Sequence, residues 1–325
     1  MFNSIYAKEL EQYYTLRTSA LSTSAAKHEL CYLKRFDVYL CNQHLEKDKI
    51  PEKIINEWLK TVRGKSSSVE NEVIVIRQFL KYLQSSGIST HLPVIPKVHD
   101  DYVPYLFSDE ELDKIFTSAD NIVQKDKKAD PNLVMAFPVI IRLLYCCGLR
   151  IGETVRLKLS DVDFDTGTLY MLNTKGDKQR LVPMADSMTE ILQKYCFAMG
   201  LLIDTGGWLF PSGRKNCHIS DVSVKHRFES ILKSNEIQLD NRQKYERGPC
   251  LHCFRHVFAF KSFAQAERAG RSLDDAIPYL SIYLGHDSLN ETSKYLKFSS
   301  EMFPKAVEIF GAFMEDLFPE VDYEA

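Results

Sequence analysis

Three prolines divide this chain. His91-Leu92-Pro93-Val94-Ile95-Pro96-Lys97 cannot continue a helix, because each proline removes a donor and pushes its predecessor out of the helical region. Tyr102-Val103-Pro104-Tyr105 behaves the same way, so residues 88–105 read as an interdomain linker. A chain of 325 residues with 45% hydrophobic content is long enough for two domains, each with its own core. Beyond the linker, Ser108-Asp109-Glu110-Glu111 forms a capping box, with Ser108 as N-cap and Glu111 three residues on. A second domain starts there.

Residues 1–100 read as a small helical domain. Leu30, Leu33, Phe36, Val38 and Leu40 recur at helical spacing and mark a buried face. Pro51 suits the first turn of a second helix, followed by Ile54, Ile55, Trp58 and Leu59. Ser66-Ser67-Ser68 precedes a third, in which Val73, Ile76, Phe79, Leu80 and Leu83 share a face, and Gly87 follows its end.

Residues 106–300 read as mostly helical with a small sheet. Val139 to Cys147 is a strongly apolar helix that stops at Gly148. Thr168–Leu172 and Arg180–Pro183 are short strands, with turn residues Thr174-Lys175-Gly176-Asp177-Lys178 between them. Helices are predicted at Val222–Ser234, Cys253–Gly270, Asp274–Tyr283 and Glu291–Lys297. Residues 301–325 add an amphipathic segment, with Phe303, Val307, Phe310, Phe313, Met314 and Leu317 on one face, and an acidic tail. The fold class is therefore mainly α with a small β-sheet.

Several function classes fall away. No apolar run approaches the ~20 residues of a membrane span, and the N-terminus lacks a basic flank and an apolar stretch, so a cytoplasmic protein without membrane contact is expected. The eight cysteines show no regular framework, which favours reduced thiols. Cys250, His252, Cys253 and His256 resemble half a zinc site, but Cys217 and His218 make a poor second pair, so no metal is expected. The formal net charge of −3 argues against a polyanionic partner until it is located. The acidic excess lies in residues 301–325 and the first hundred residues are mildly basic, so DNA binding is permitted through local patches.

Three clusters carry chemistry. They are Gly148-Leu149-Arg150-Ile151-Gly152-Glu153, His252-Cys253-Phe254-Arg255-His256, and Leu284-Gly285-His286 followed by Tyr295. Breaking a phosphodiester with a tyrosine needs such a set. Free tyrosine has a pKa of ~10, so about one in a thousand is ionised at pH 7, and an acceptor must take its proton. The pentavalent transition state gathers charge that fixed cations stabilise, and arginine's planar fork suits two phosphate oxygens. The leaving oxygen needs a general acid, and a lysine in a hairpin turn has the reach. Taken singly, each residue has a plainer reading: Arg150 with Glu153 is an i, i+3 surface pair, and Lys175 is a solvated turn residue.

In this order the clusters resemble the active-site boxes of the tyrosine recombinase (phage integrase) family, most clearly from about 106 to 298. Asn173-Thr174-Lys175 stands where the family has a Gly-Lys-Gly type turn, and Phe254 stands where leucine is common. The resemblance implies a helical, SAM-like core-binding domain before an α+β catalytic domain. It implies that Arg150 and Arg255 clamp the scissile phosphate, that Lys175 protonates the departing 5′ oxygen and that His252 assists proton transfer. His286 would bind a phosphate oxygen, Tyr295 would form the 3′-phosphotyrosyl link, and Glu153 would orient the first arginine. Lys178 lies close to Lys175; Lys175 is preferred because it precedes the turn glycine.

The same resemblance implies site-specific recombination through a Holliday junction, without cofactors, on duplex DNA with short inverted-repeat core sites. The protein would act as a tetramer on DNA, at the nucleoid, with accessory bending or directionality proteins as further partners. Lys60, Arg63, Lys65, Arg77 and Lys81 are candidate phosphate contacts, each equally readable as part of a solvated face. Residues 301–325 would dock on a neighbouring subunit. The alternatives are a type IB topoisomerase-like relaxing enzyme, or a non-catalytic DNA-binding protein on the same fold.

Overall fold

A computed structural model of the chain describes residues 2–97, 104–123, 130–172, 179–201, 206–238 and 248–293. It divides into two compact units, Met1–Asp101 and Tyr102–Ala325.

The first unit contains α1 (Ala7–Thr18), α2 (Thr23–Cys41), α3 (Glu52–Thr61) and α4 (Ser66–Ser85). Ser22 caps α2 by accepting from the Ala25 amide. Its core joins Leu33 and Phe36 of α2 to Trp58 of α3 and to Val73, Ile76, Phe79 and Leu83 of α4. Phe36 meets Trp58 edge-on, with ring centroids 5.0 Å apart, a favoured arrangement of their quadrupoles. α1, which the sequence did not single out, adds Leu10 and Tyr13 to this core.

Two expectations are corrected here. Val38 is 60% exposed, because it lies off the stripe formed by Leu33, Phe36 and Leu40. The predicted linker is also shorter than 88–105. Ser89–Thr90 (β2) pairs in parallel with Lys49–Ile50 (β1), and Ile88 and Leu92 pack on the first core. At the other end, Phe107 is buried in the second core with Tyr105 and Leu106 against it. Prolines forbid helix but permit extended chain, and extended chain can still pair and pack.

The second unit opens with α5 (Asp109–Asp120). Ser108 accepts from the Glu111 amide, and the Glu111 carboxylate accepts from the Ser108 amide, as the capping box predicts. α6 (Leu133–Cys147) starts six residues before the predicted apolar run and ends at Gly148, whose φ of 59° is the left-handed cap that glycine adopts without strain. The short α7 (Ile151–Thr154) follows at once. A three-stranded antiparallel sheet has the order β3 (Val162–Asp163), β4 (Thr168–Met171), β5 (Arg180–Pro183); β3 was not foreseen. Leu169 faces Val182 and Met171 faces Arg180 across β4 and β5.

The remaining helices are α8 (Asp186–Ala198), which the sequence reading passed over, α9 (Asp221–Ser234), α10 (His252–Arg268), α11 (Leu273–Leu284) and α12 (Leu289–Ser293). α6 and α10 are the central helices: Phe137, Ile140, Ile141 and Leu144 pack in one core with Cys253, Phe254 and Val257. The predicted turn at 174–178, the end of the predicted helix at Lys297 and the segment 301–325 lie outside the described residues.

Candidate active site

The site forms where two helices end. α6 stops at Gly148 and α11 at Gly285, both left-handed, with φ of 59° and 68°. Their last carbonyls carry the negative end of the helix dipole and need donors. Arg255, on the first turn of α10, supplies them. Its Nη1 donates to the Gly148 carbonyl and its Nη2 to the Leu284 carbonyl, both at 2.8 Å. Arg255 is 1% exposed, so this cation is solvated by helix ends instead of water. One side chain thereby ties together the Gly-Leu-Arg and Leu-Gly-His clusters, which lie more than a hundred residues apart in sequence.

Arg150 follows Gly148 by two residues and directly precedes α7. Its Nη1 donates to Oε1 of Glu153 at 2.9 Å, and its Nη2 reaches the Gly285 carbonyl at 3.5 Å. Glu153 also accepts from the Arg150 amide, so the i, i+3 spacing fixes both the backbone and the side chain of Arg150. The second carboxylate oxygen, Oε2, is held at 2.8 Å by Nη2 of Arg180 on β5. Burial opposes the charge on Glu153, but the hydrogen bond and charge of Arg180, then those of Arg150, hold its carboxyl below the usual carboxylate range.

His286 completes the cluster. Its Nε2 lies 2.9 Å from Nη2 of Arg255, and its Nδ1 lies 2.6 Å from the Thr292 hydroxyl. Arginine can only donate, so Nε2 accepts and the ring carries its proton on Nδ1. Burial, then the charges of Arg255, Arg150, Arg180 and His252, pull the imidazole down to about 3.

His252 begins α10 and remains exposed, while Arg255 is turned inward. Their shared helical face therefore splits at the N-terminal edge of the helix. The His252 ring meets His256 edge-on at 4.7 Å, and its charge reaches His286. Lys175 and Tyr295 lie outside the described residues, as does Lys178. The Cys250 and Cys253 sulfurs are 3.7 Å apart, and all eight cysteines are free. The hydrogen bond to Cys250 and burial in the core push the Cys253 thiol up.

Sequence reasoning missed Arg180. Its side chain is 5% exposed and points to the same side of β5 as the buried Val182, whereas Leu181 between them is 60% exposed. Period-two counting back from Val182 places the charge on the core side, where it needs a partner.

In the first unit, Lys60, Arg63 and Lys81 are exposed and Lys65 is half-buried at the start of α4. Arg63 donates to the carbonyls of Lys60 and Val62. Arg77 is also half-buried and donates to the Pro93 carbonyl.

Residues 107–302 match the model of the phage integrase family. A putative integrase/recombinase of Sinorhizobium fredii, y4rB, is 31% identical over 251 residues, covering 74% of this chain and 77% of that protein. The tyrosine recombinase XerC of Staphylococcus saprophyticus is 24% identical over 281 residues, 84% of this chain and 86% of its own. Among solved structures, the XerH site-specific recombinase in a post-cleavage complex with palindromic difH shares the fold, with a TM-score of 0.69 at 20% identity over 93% of this chain and 84% of that one. The chain belongs to the phage integrase family of tyrosine recombinases, enzymes that cleave and rejoin DNA strands. Among the described residues no helix is long and apolar enough to cross a membrane.

Proposed function

We propose that this recombinase cleaves duplex DNA through Tyr295, with Arg150 and Arg255 on the scissile phosphate. The observation that carries the reading is the Arg255 bridge. It fixes one guanidinium between the last carbonyls of α6 and α11, beside His286, and one of those carbonyls belongs to Gly148, two residues before Arg150 in the chain. A preorganised set of cations of this kind stabilises the charge that gathers on the non-bridging oxygens.

In the first step the Tyr295 hydroxyl oxygen attacks phosphorus and the bond from phosphorus to the 5′ oxygen breaks. The tyrosine proton passes toward His252, and Lys175 gives a proton to the departing oxygen. The products are a 3′-phosphotyrosyl link and a free 5′ hydroxyl. Attack by a 5′ hydroxyl from the partner duplex reverses the step and joins the exchanged strand, and a second round resolves the Holliday junction. The phosphodiester energy is kept in the covalent link, so the step needs neither ATP nor a metal. Two duplexes present four strands, and one tyrosine per strand calls for four subunits. Short inverted repeats match a two-fold arrangement of such subunits. Residues 301–325 dock on the neighbouring subunit, and the first unit, 1–100, holds DNA through Lys60, Arg63, Lys65 and Lys81. Accessory DNA-bending or directionality proteins set the outcome, and the protein works at the nucleoid.

The test uses nicked duplexes from the ends of the element or locus that carries the gene. A denaturation-resistant protein–DNA adduct, lost in Tyr295→Phe, supports the reading. Sequence-specific binding without an adduct in the wild type would favour a binding protein that retains the fold.

A further inference from the structure

We propose that Arg180 is a positioning residue for strand cleavage, holding Glu153 so that Arg150 is presented to the phosphate. This deepens the function proposed above and rests on Arg150 as a phosphate ligand.

Four observations meet at Arg180. First, β5 turns it inward: the side chain is 5% exposed, on the face that also buries Val182. Second, it shares one carboxylate with Arg150. Nη2 of Arg180 lies 2.8 Å from Oε2 of Glu153 and Nη1 lies 3.5 Å from Oε1, the same oxygen that accepts from Arg150 at 2.9 Å. Third, it packs against Gly285. A Cβ there would come within 3.0 Å of Nη1 and 3.2 Å of Cδ of Arg180, and the Gly285 carbonyl is the one Arg150 approaches. Fourth, Nε is buried without an acceptor among the described residues. Stability alone gives little reason for this arrangement. A buried carboxylate needs one good guanidinium partner, and apolar groups of equal volume often serve as well as an ion pair.

The geometry gives each arginine a separate task. Both Nη atoms of Arg180 bond the Glu153 carboxylate, which neutralises its charge, so it is not assigned to the phosphate. It acts through the carboxylate instead. With Arg180 in place, Glu153 is fixed from the strand side, and Arg150, about 31% exposed at its side chain, approaches from the open side. Without Arg180 the carboxylate keeps its bonds to Arg150 but loses its anchor on the strand, so the two side chains shift together. A displacement of about 1 Å in such a group costs on the order of 100-fold in rate.

The test compares Arg180→Gln, Arg180→Lys, Glu153→Gln and the double variant Arg180→Gln/Glu153→Gln with wild type. Two readouts are taken. In the free protein, ¹⁵N relaxation of the Arg150 side chain reports its order. On nicked duplexes from the element's ends, the rate of adduct formation is measured at saturating protein, beside the affinity for the uncleaved duplex. The expected result is increased Arg150 mobility in Arg180→Gln, and adduct formation slowed about 100-fold with affinity little changed. Arg180→Lys should recover part of the loss. The double variant should be no slower than the slower single variant, because both changes act on one path. Unchanged Arg150 mobility in Arg180→Gln and Arg180→Lys overturns the proposal, and so do rate losses that multiply in the double variant. A wild type that forms no adduct sinks the Tyr295 reading instead, and the Arg150 mobility, measured without DNA, still decides this one. Should Arg180→Gln fail to fold, Arg180→Lys against Glu153→Gln carries the same comparison.

Discussion

Arg255 donates from Nη2 to Nε2 of His286 across 2.9 Å, joining the start of α10 to the turn after α11. The contact sets the protonation of the imidazole. An arginine cannot accept, so the ring in this arrangement is neutral with its proton on Nδ1, facing the Thr292 hydroxyl. Nε2 can donate to a phosphate oxygen only with a proton on it, which takes either a switch of tautomer or a second proton on the ring.

His286 should therefore titrate abnormally in the free protein. Its folded value of about 3 lies below the ordinary 6.5, so between these values the unfolded chain holds more protons. The stabilisation is complete above pH 6.5 and is lost as pH falls from there toward 3. Imidazole ¹⁵N spectra should show His286 neutral at pH 5, and His286→Gln should flatten the pH dependence of stability between 6.5 and 5. A midpoint near 6.5 in the spectra would contradict the account.

Arg255→Lys tests the bridge between helix ends. Lysine cannot reach both carbonyls from one planar fork, so at least one of Gly148 and Leu284 loses its donor. An unsatisfied buried carbonyl costs about 1–3 kcal/mol. Urea unfolding should show a loss of this size, and adduct formation should fall further than stability explains. Equal stability in the two proteins would argue that the carbonyls find other donors.

Gly148→Ala should damage the same corner by sterics. The position has φ of 59°, and an added Cβ would lie 2.5 Å from Cδ1 of Phe258 and 3.1 Å from Cδ2 of Leu284. Backbone strain and overpacking together predict a loss of about 1–3 kcal/mol, read as a lower denaturant midpoint with an unchanged slope.

The basic residues of the first unit should separate by role. Lys60→Ala and Lys81→Ala remove exposed charges, so each should weaken binding evenly across sequences and lower the salt slope by about 1. Arg77→Ala removes the bond to the Pro93 carbonyl, so it should mainly lower the stability of the first unit. Salt titrations of duplex binding and thermal melting of the same variants check both statements. A full salt-slope change in Arg77→Ala with unchanged melting would reverse the assignment.

Legibility in the sequence followed the range of the interaction. The capping box at Ser108 and Glu111 and the glycine stop at 148 are local, and the structure shows both. The β5 strand was legible because its ends are marked by a turn and a proline. What Arg180 does was not. Its partner Glu153 is 27 residues away, and only the register of β5 turns it inward. Val38 failed for the converse reason: an apolar residue on a half-exposed helix need not join the stripe. The linker prediction overreached because extended chain at 88–92 found a strand and a core to join. Within the site, Arg150 with Glu153 was readable as an i, i+3 pair, but the link from Arg255 to two helix ends is a product of tertiary packing.

The most direct test of the central claim is peptide mapping of the protein–DNA adduct by mass spectrometry. The account predicts nucleotide joined through a 3′ phosphate to the peptide that contains Tyr295. Attachment to any other of the 16 tyrosines, or through a 5′ phosphate, would contradict it.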